Sequence, residues 1–280
     1  MSLGYNAWAH FCEIMILAVD IGNTQTCIGA FEDGDDVTCL WRESTPKNIT
    51  VDEVAVRLID LIKARCYELE DIDKIAISCV VPSLTIVYEK ALKALITSKN
   101  LVAKLIMLTP KTAEDMDKPL YKCTYAHPEE VGSDIIATCI AANEMFGEAC
   151  AIIDFGTATN INVINSKLEF VGAVIAPGMK TSLESLVKDA SALSGIEFKA
   201  PDKVLGSSTS SLIQSGVVLG EASKADGLVD RIEEEIGEKV KVICTGGWSK
   251  LISKEMSHKS VLAPNLVLQG LKIFAEHYNG

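Results

Sequence analysis

Apolar and polar positions along this chain follow two periods, and the two periods come in the same order twice. Residues 16–19 form a continuous apolar run, Ile16-Leu17-Ala18-Val19, that stops at Asp20, as in a short strand buried on both faces. Residues 26–31 and 37–42 read as two strands across an Asp- and Gly-rich turn at 32–36, which predicts a hairpin. The period then lengthens. Val54, Leu58, Leu61 and Ile62 share one face of a helix predicted over 51–66, with Thr50 placed as its N-cap. A buried strand is expected over 74–80, a helix over 83–97 and a strand over 103–108. The helix expected over 132–146 carries Ala137, Ala141 and Ala142, small residues that allow a close approach.

The order then restarts. Residues 150–153 form an apolar strand ending at Asp154, and 160–164 with 169–175 predict a hairpin across Asn165-Ser166-Lys167. Helices are expected over 181–190 and over 208–237, the second broken near Gly216 or Gly220. A strand over 241–245 closes on Gly246-Gly247, and a terminal helix spans 263–278. The repeated device is a strand, an aspartate, one apolar residue, a glycine and small polar residues: Asp20-Ile21-Gly22-Asn23-Thr24 and Asp154-Phe155-Gly156-Thr157. This predicts two similar α/β domains facing a cleft. They divide near Gly147 into 15–146 and 147–280. Residues 1–14 read as an extension ahead of a native start at Met15.

Composition narrows the function. Of 280 residues, 48% are hydrophobic and 23% charged, a globular balance that excludes a disordered chain. The net charge of −12 argues against binding nucleic acid or an anionic membrane, since both need a cationic footprint. No apolar run reaches the length of a membrane span. Nine cysteines, an odd number without a Cys-x-x-Cys pair, read as buried free thiols in a reducing cytoplasm.

An acidic protein that binds phosphates must rely on backbone N–H groups and a metal. In Asp20-Ile21-Gly22-Asn23-Thr24 the glycine lets the backbone approach an anion, and the following residues offer N–H and hydroxyl donors. Asp20 repels phosphate, so it acts there through Mg²⁺, whose ligands are carboxylates and water. One Asp-x-Gly is commonly an ordinary turn; two copies, each between a buried strand and a hairpin, favour a ligand loop. In Asp154-Phe155-Gly156-Thr157-Ala158-Thr159 the hydroxyl-rich loop suits phosphate or a monovalent cation. Gly246-Gly247 suits a flat nucleoside or a plain strand–helix turn equally. In Val131-Gly132-Ser133-Asp134, Ser133 or Asp134 reads as a helix N-cap, and Asp134 alternatively as a cleft carboxylate. No Walker lysine loop or Gly-x-Gly-x-x-Gly fingerprint is present.

Taken in order, these residues resemble the type III pantothenate kinases of the acetate and sugar kinase/actin superfamily. The resemblance runs from about Met15 to Asn279 and includes Trp41-Arg42-Glu43-Ser44-Thr45, Ser78-Cys79-Val80-Val81-Pro82, Pro128-Glu129-Glu130-Val131-Gly132 and Gly172-Ala173-Val174-Ile175-Ala176-Pro177-Gly178. It implies two ribonuclease H-like (actin-like ATPase) domains around an inter-domain cleft. It also implies ATP-dependent phosphorylation of pantothenate in a cytoplasmic homodimer. By the family pattern Asp20, Ile21, Gly22, Asn23, Thr24, Gln25 and Thr26 cradle ATP phosphates, with Asp20 serving Mg²⁺ through water. Thr157, Gly246 and Gly247 contact ATP, and Asp154 holds a monovalent cation, K⁺ or NH₄⁺. Asp134 is the general base. Tyr125, Gly132, Ser133, Asp134 and Thr209 fall on substrate-contacting positions. Two positions depart from the pattern. Ile135 stands where the family usually has arginine, and Ser207 where it often has lysine. Both departures delete a cation near the expected anionic substrate. A same-fold kinase for another small alcohol, or a catalytically weak paralogue with a binding role, therefore stays open beside the pantothenate kinase.

Overall fold

A computed structural model describes residues 14–32, 34–65, 67–116, 119–187 and 196–278. The expected extension over 1–14 lies outside them except for Ile14. Packing divides the chain into two compact units, one ending at Met107 and one beginning at Leu108.

The first unit is built on a five-stranded sheet. β1 (Met15–Ile21) pairs antiparallel with β2 (Gln25–Phe31), which pairs with β3 (Cys39–Ser44). On its other side β1 pairs parallel with β4 (Ile72–Cys79), and β4 with β5 (Lys104–Met107). The order is β3-β2-β1-β4-β5. Met15 to Val19 are all buried, as a central strand covered on both faces requires. Helices α1 (Val51–Lys63) and α2 (Pro82–Ser98) supply Val54, Leu58, Leu84, Tyr88 and Leu92 to the core against Leu17, Val19, Trp41 and Ile75. Thr50 caps α1 in a reciprocal box with Glu53: the Thr50 N–H donates to Glu53 Oε2 at 2.8 Å, and the Glu53 N–H returns to Thr50 Oγ1 at 3.3 Å.

The second unit repeats the plan. After α3 (Pro110–Glu114), β6 (Lys122–Cys123) and α4 (Ser133–Phe146) come β7 (Cys150–Phe155), β8 (Ala158–Ile164) and β9 (Glu169–Pro177). Then follow α5 (Met179–Val187), α6 (Thr209–Gln214), a π turn at Ser215–Leu219 and α7 (Gly220–Ile236). The chain closes with β10 (Lys241–Thr245), α8 (Ser249–Ile252), β11 (Ser260–Leu262) and α9 (Leu266–His277). The sheet order is β11-β10-β7-β8-β9-β6. Leaving out β6, each sheet has a central strand with an antiparallel hairpin on one side and two parallel strands on the other. The core here is Ile153, Phe155, Ile161, Val163, Ala222, Val229 and Val242.

The break expected near Gly216 or Gly220 is the π turn, which inserts a residue between α6 and α7. The part of the expected 181–190 helix beyond Val187 lies outside the described residues. The N-cap of α4 is Gly132, without a side-chain cap bond, so neither Ser133 nor Asp134 caps it. The short β6, α3 and β11 were not expected, because two- to five-residue elements leave almost no periodic signal.

The division by packing differs from the expected domain limit at 146/147. Helix α4, which sequence order assigns to the end of the first domain, packs with the second unit. A Cβ on Gly270 of α9 would lie 1.8 Å from the Ala137 carbonyl oxygen of α4, so the two helix backbones touch. Asn143 of α4 also donates from Nδ2 to the Leu120 and Leu168 carbonyls at 3.3 and 3.2 Å. The small-residue face read from the sequence is therefore a helix–helix contact. Among the described residues no helix is long and apolar enough to cross a membrane. The described cysteines are free thiols, and Cys39, Cys139, Cys150 and Cys244 are buried.

Gly270→Ala tests the α4–α9 contact. The added methyl meets backbone that cannot rotate away, so overpacking costs about 1–3 kcal/mol or more. The expected result is a fall in Tm of about 5 °C or loss of soluble protein; a Tm within about 1 °C of wild type would refute the contact.

Candidate active site

The two Asp-x-Gly loops follow one plan and are fastened by corresponding hydrogen bonds, the first loop being one residue longer. Asp20 is the second-last residue of β1, opposite Cys27 on β2 and Ser78 on β4. Asp154 is the second-last residue of β7, opposite Asn160 on β8 and Thr245 on β10. Each glycine N–H donates across the turn: Gly22 to the Gln25 carbonyl at 3.0 Å, Gly156 to the Ala158 carbonyl at 3.1 Å. The residue after each aspartate accepts a bond from the chain that follows the neighbouring parallel strand. The Val80 N–H reaches the Ile21 carbonyl, and the Trp248 N–H the Phe155 carbonyl, both at 3.1 Å. Each loop is also tied to the chain leaving its hairpin: the Thr45 N–H to the Thr24 carbonyl at 3.0 Å, the Gly178 N–H to the Thr157 carbonyl at 3.2 Å.

In the first unit Asn23, Thr24 and Gln25 are exposed at the tip, and Gly22 is half-buried. A Cβ on Gly22 would sit 2.9 Å from the Gln25 carbonyl, so the tight turn requires glycine. Ile21 and Thr26 are buried. The Thr26 hydroxyl meets the Thr45 hydroxyl at 2.9 Å, so its side chain is committed inward. The loop therefore presents backbone and the side chains of Asn23, Thr24 and Gln25.

In the second unit the loop after β7 is enclosed more tightly. A Cβ on Gly246 would lie 2.1 Å from Asp154 Oδ1 and 2.8 Å from the Phe155 backbone. Gly246 also has φ +87°, a left-handed conformation that favours glycine. A Cβ on Gly178 would lie 2.5 Å from the Gly156 carbonyl oxygen and 2.6 Å from that of Thr157. Thr181 Oγ1 donates to the same Thr157 carbonyl at 2.7 Å. Ser249 Oγ donates to the Gly246 carbonyl at 2.7 Å and anchors the start of α8. Gly247 has open space around its Cα, so no steric demand fixes glycine there.

Asp134 projects from the first turn of α4, and its Oδ1 accepts the Ile135 N–H at 2.8 Å. Desolvation raises its carboxyl above the ordinary range, against the lowering by that bond. Asp154 is raised to about 7, first by desolvation and then by the negative charge of Asp134. The structure thus brings Asp134 and Asp154 within electrostatic reach of one another. An acid so desolvated beside a second acid keeps its proton more readily, and a cation beside it would favour the ionised form. The carboxylate of Asp154, against Gly246 and with Thr157 exposed on the same loop, offers oxygen donors to a cation.

The other expected residues lie on the same unit. Tyr125 is 39% exposed and packs edge-on against Phe170 and His127, with ring centroids 6.1 and 6.5 Å away. Gly132 and Ser133 begin α4 beneath Asp134. Thr209 is exposed at the start of α6, whose cap is Ser208. Ser207, in the family's lysine position, is exposed, and its N–H donates to Ser211 Oγ at 3.0 Å. Gly178 and Thr181 shape the loop but carried no separate role in the sequence; the signal for them was the Pro177-Gly178 pair closing a hairpin.

A doubled sheet of this order, with an acid ending each central strand, is the mark of the actin-like ATPase fold. Solved structures with this fold align over most of the chain. The activator of the 2-hydroxyisocaproyl-CoA dehydratase from Clostridium difficile, with bound ADPNP, matches at TM-score 0.50 and 11% identity, covering 94% of both chains. The (R)-2-hydroxyglutaryl-CoA dehydratase component A of Acidaminococcus fermentans matches at TM-score 0.54 and 12% identity, covering 94% of this chain and 97% of that one. At these identities the likeness concerns the fold alone. The sequence is more specific: a family model for type III pantothenate kinase matches residues 16–231. A type III pantothenate kinase of Halalkalibacterium halodurans is 37% identical over 259 residues, 92% of this chain and 98% of the relative. The chain belongs to the type III pantothenate kinase family.

Asp154 supplies a pH test. Its folded-state pKa of about 7 lies above the ordinary 3.8. The folded state therefore keeps a proton that the unfolded state releases, and stability falls as pH rises from about 4 to 7. Asp154→Asn escapes that loss. In choline buffer without Na⁺, K⁺ or NH₄⁺, the Tm of the variant minus that of wild type is expected to be larger at pH 8 than at pH 5. A difference independent of pH would refute the desolvated acid.

Proposed function

We infer that this chain catalyses ATP-dependent phosphorylation of the primary hydroxyl of pantothenate, giving 4'-phosphopantothenate, the first step towards coenzyme A. The reading rests on family membership over most of the chain. The observation that carries it is the pair of desolvated carboxylates, Asp134 and Asp154, beside a glycine-lined loop.

Mg-ATP supplies the phosphoryl group. In the first unit the Asp20–Thr26 loop is suited to hold phosphate oxygens through the N–H groups of its tip and the side chains of Asn23 and Thr24, with Asp20 serving Mg²⁺ through water. In the second unit Thr157 and the Gly246-Gly247 turn are the nucleotide contacts. Asp154 is the ligand of K⁺ or NH₄⁺, a charge that would relieve its own desolvation. Asp134 accepts the proton of the substrate hydroxyl. Its raised pKa brings it nearer to neutral pH, where a base combines ionisation with proton affinity. Tyr125, Gly132, Ser133 and Thr209 are the substrate contacts. Phosphoryl transfer asks for little beyond positioning and charge neutralisation, and these residues are of the types that provide both. The expected assembly is a cytoplasmic homodimer.

A second reading, a kinase of the same fold for another small alcohol, is favoured by Ile135 and Ser207, which offer no cation to an anionic substrate. A third, a weak paralogue with a binding role, is disfavoured by Asp134, a base that pure binding does not need.

The test is ADP release from Mg-ATP on adding pantothenate, in potassium and then in sodium alone. Potassium-dependent turnover is expected; none, in folded protein that binds ATP, would reject pantothenate and leave a panel of small alcohols to be tried. Asp134→Asn is expected to lower kcat by about 10²- to 10⁴-fold with Mg-ATP binding retained. An unchanged kcat would remove Asp134 as the base.

A further inference from the structure

Behind the loop that carries Thr157 lies a charged side chain that the chemistry above does not use. Glu221 stands in the first turn of α7, directly after the π turn, and its side chain is only 4% exposed. Both of its oxygens are engaged. Oε1 accepts the Thr159 hydroxyl at 2.6 Å, and Oε2 accepts the Lys224 ammonium at 2.8 Å. Lys224 Nζ also donates to the Pro177 carbonyl at 2.9 Å.

These bonds converge on one loop. Thr159 is the second residue of β8 and pairs with Phe155 of β7 and Ala176 of β9. Pro177 ends β9, and the next residue, Gly178, is packed against the Gly156 and Thr157 carbonyls with no room for a Cβ. Glu221 therefore fixes the start of β8 directly and the end of β9 through Lys224, on either side of the 156–157 turn. A buried carboxylate is costly unless it is paired and hydrogen-bonded. The ion pair itself lies within α7, and its outward bonds, to Thr159 Oγ1 from Glu221 and to the Pro177 carbonyl from Lys224, reach two strands. π turns recur at functional sites, and this one sets where Glu221 falls on the helix face.

We propose that Glu221 and Lys224 are a positioning pair that holds the Thr157–Gly178 loop in its nucleotide-binding geometry. This rests on the reading of Thr157 as an ATP contact. Both act through Thr159 and Pro177, by keeping β8 and β9 in register around the turn.

The experiment compares wild type with Glu221→Gln, Lys224→Met, the double variant and Lys224→Arg. Binding of Mg-ATP is measured by calorimetry, with steady-state kinetics alongside. Each neutralising variant is expected to weaken Mg-ATP binding and raise KM for ATP by about five- to tenfold. kcat is expected to stay within about twofold and KM for pantothenate to be unchanged. The double variant should be no weaker than the worse single one, because the two residues form one chain of bonds. Lys224→Arg should bind nearly as wild type does. A merely structural pair would instead lower Tm and the fraction of active sites while leaving the Kd of each active site unchanged; that result, or additive losses, overturns the proposal. If Glu221→Gln fails to fold, Lys224→Met decides, since its side chain is already 30% exposed. A wild type that binds Mg-ATP but phosphorylates nothing refutes the functional reading and leaves the binding comparison decisive. A wild type that binds no Mg-ATP overturns both.

Discussion

A carboxylate at the end of a strand buried on both faces is held where water is scarce and other backbone crowds in. At β7 this constraint governs much of the surrounding second unit. Asp154 cannot ionise easily, because desolvation and the charge of Asp134 both oppose it. The backbone is glycine where it comes closest to the carboxylate, at Gly246, and where it closes on the following turn, at Gly178. The turn is held by bonds from three directions: the start of α8 through Trp248, the hairpin exit through Gly178, and α5 through Thr181. An electrostatic cost is thereby fixed in place, and a site that binds cations can use it.

The first unit follows the same plan with a looser enclosure. Its loop has three backbone bonds, through Gly22, Val80 and Thr45, that correspond to those through Gly156, Trp248 and Gly178, yet its tip is exposed. Gly22, the glycine of the first loop, stands against the Gln25 carbonyl, whereas Gly246 stands against the Asp154 carboxylate. One geometry thus provides two different environments. An exposed tip of N–H and hydroxyl groups suits phosphate oxygens, whereas an enclosed acid suits a small ion. The difference lies in what packs behind each strand end, since the strands themselves are alike.

Much of this was legible in the chain because the repeat is written in local pattern. An apolar run, an aspartate, a glycine and an alternating hairpin give period and punctuation together, and both copies fold as read. Thr50 announced the start of α1, and Ala137, Ala141 and Ala142 announced a close helix contact. The reading went astray where local signal is ambiguous. Ser133 and Asp134 are good capping residues, yet Gly132 takes the cap and leaves Asp134 on the first turn as a desolvated acid. Helix α4 was placed with the sequence before it, whereas it packs with the helix that ends the chain.

The sequence by itself determined the two hairpins, the apolar strand before each and the acid near that strand's end, because those follow from periodicity over a few residues; the strand order came from the structure. The tertiary structure alone decided which distant residues close the site. Gly246 meets Asp154, Gly270 meets Ala137, and Glu221 reaches Thr159 from 62 positions away. No local period encodes such meetings. They arise when the parallel strands and their crossover helices stack, and packing leaves room at each point for only one kind of side chain.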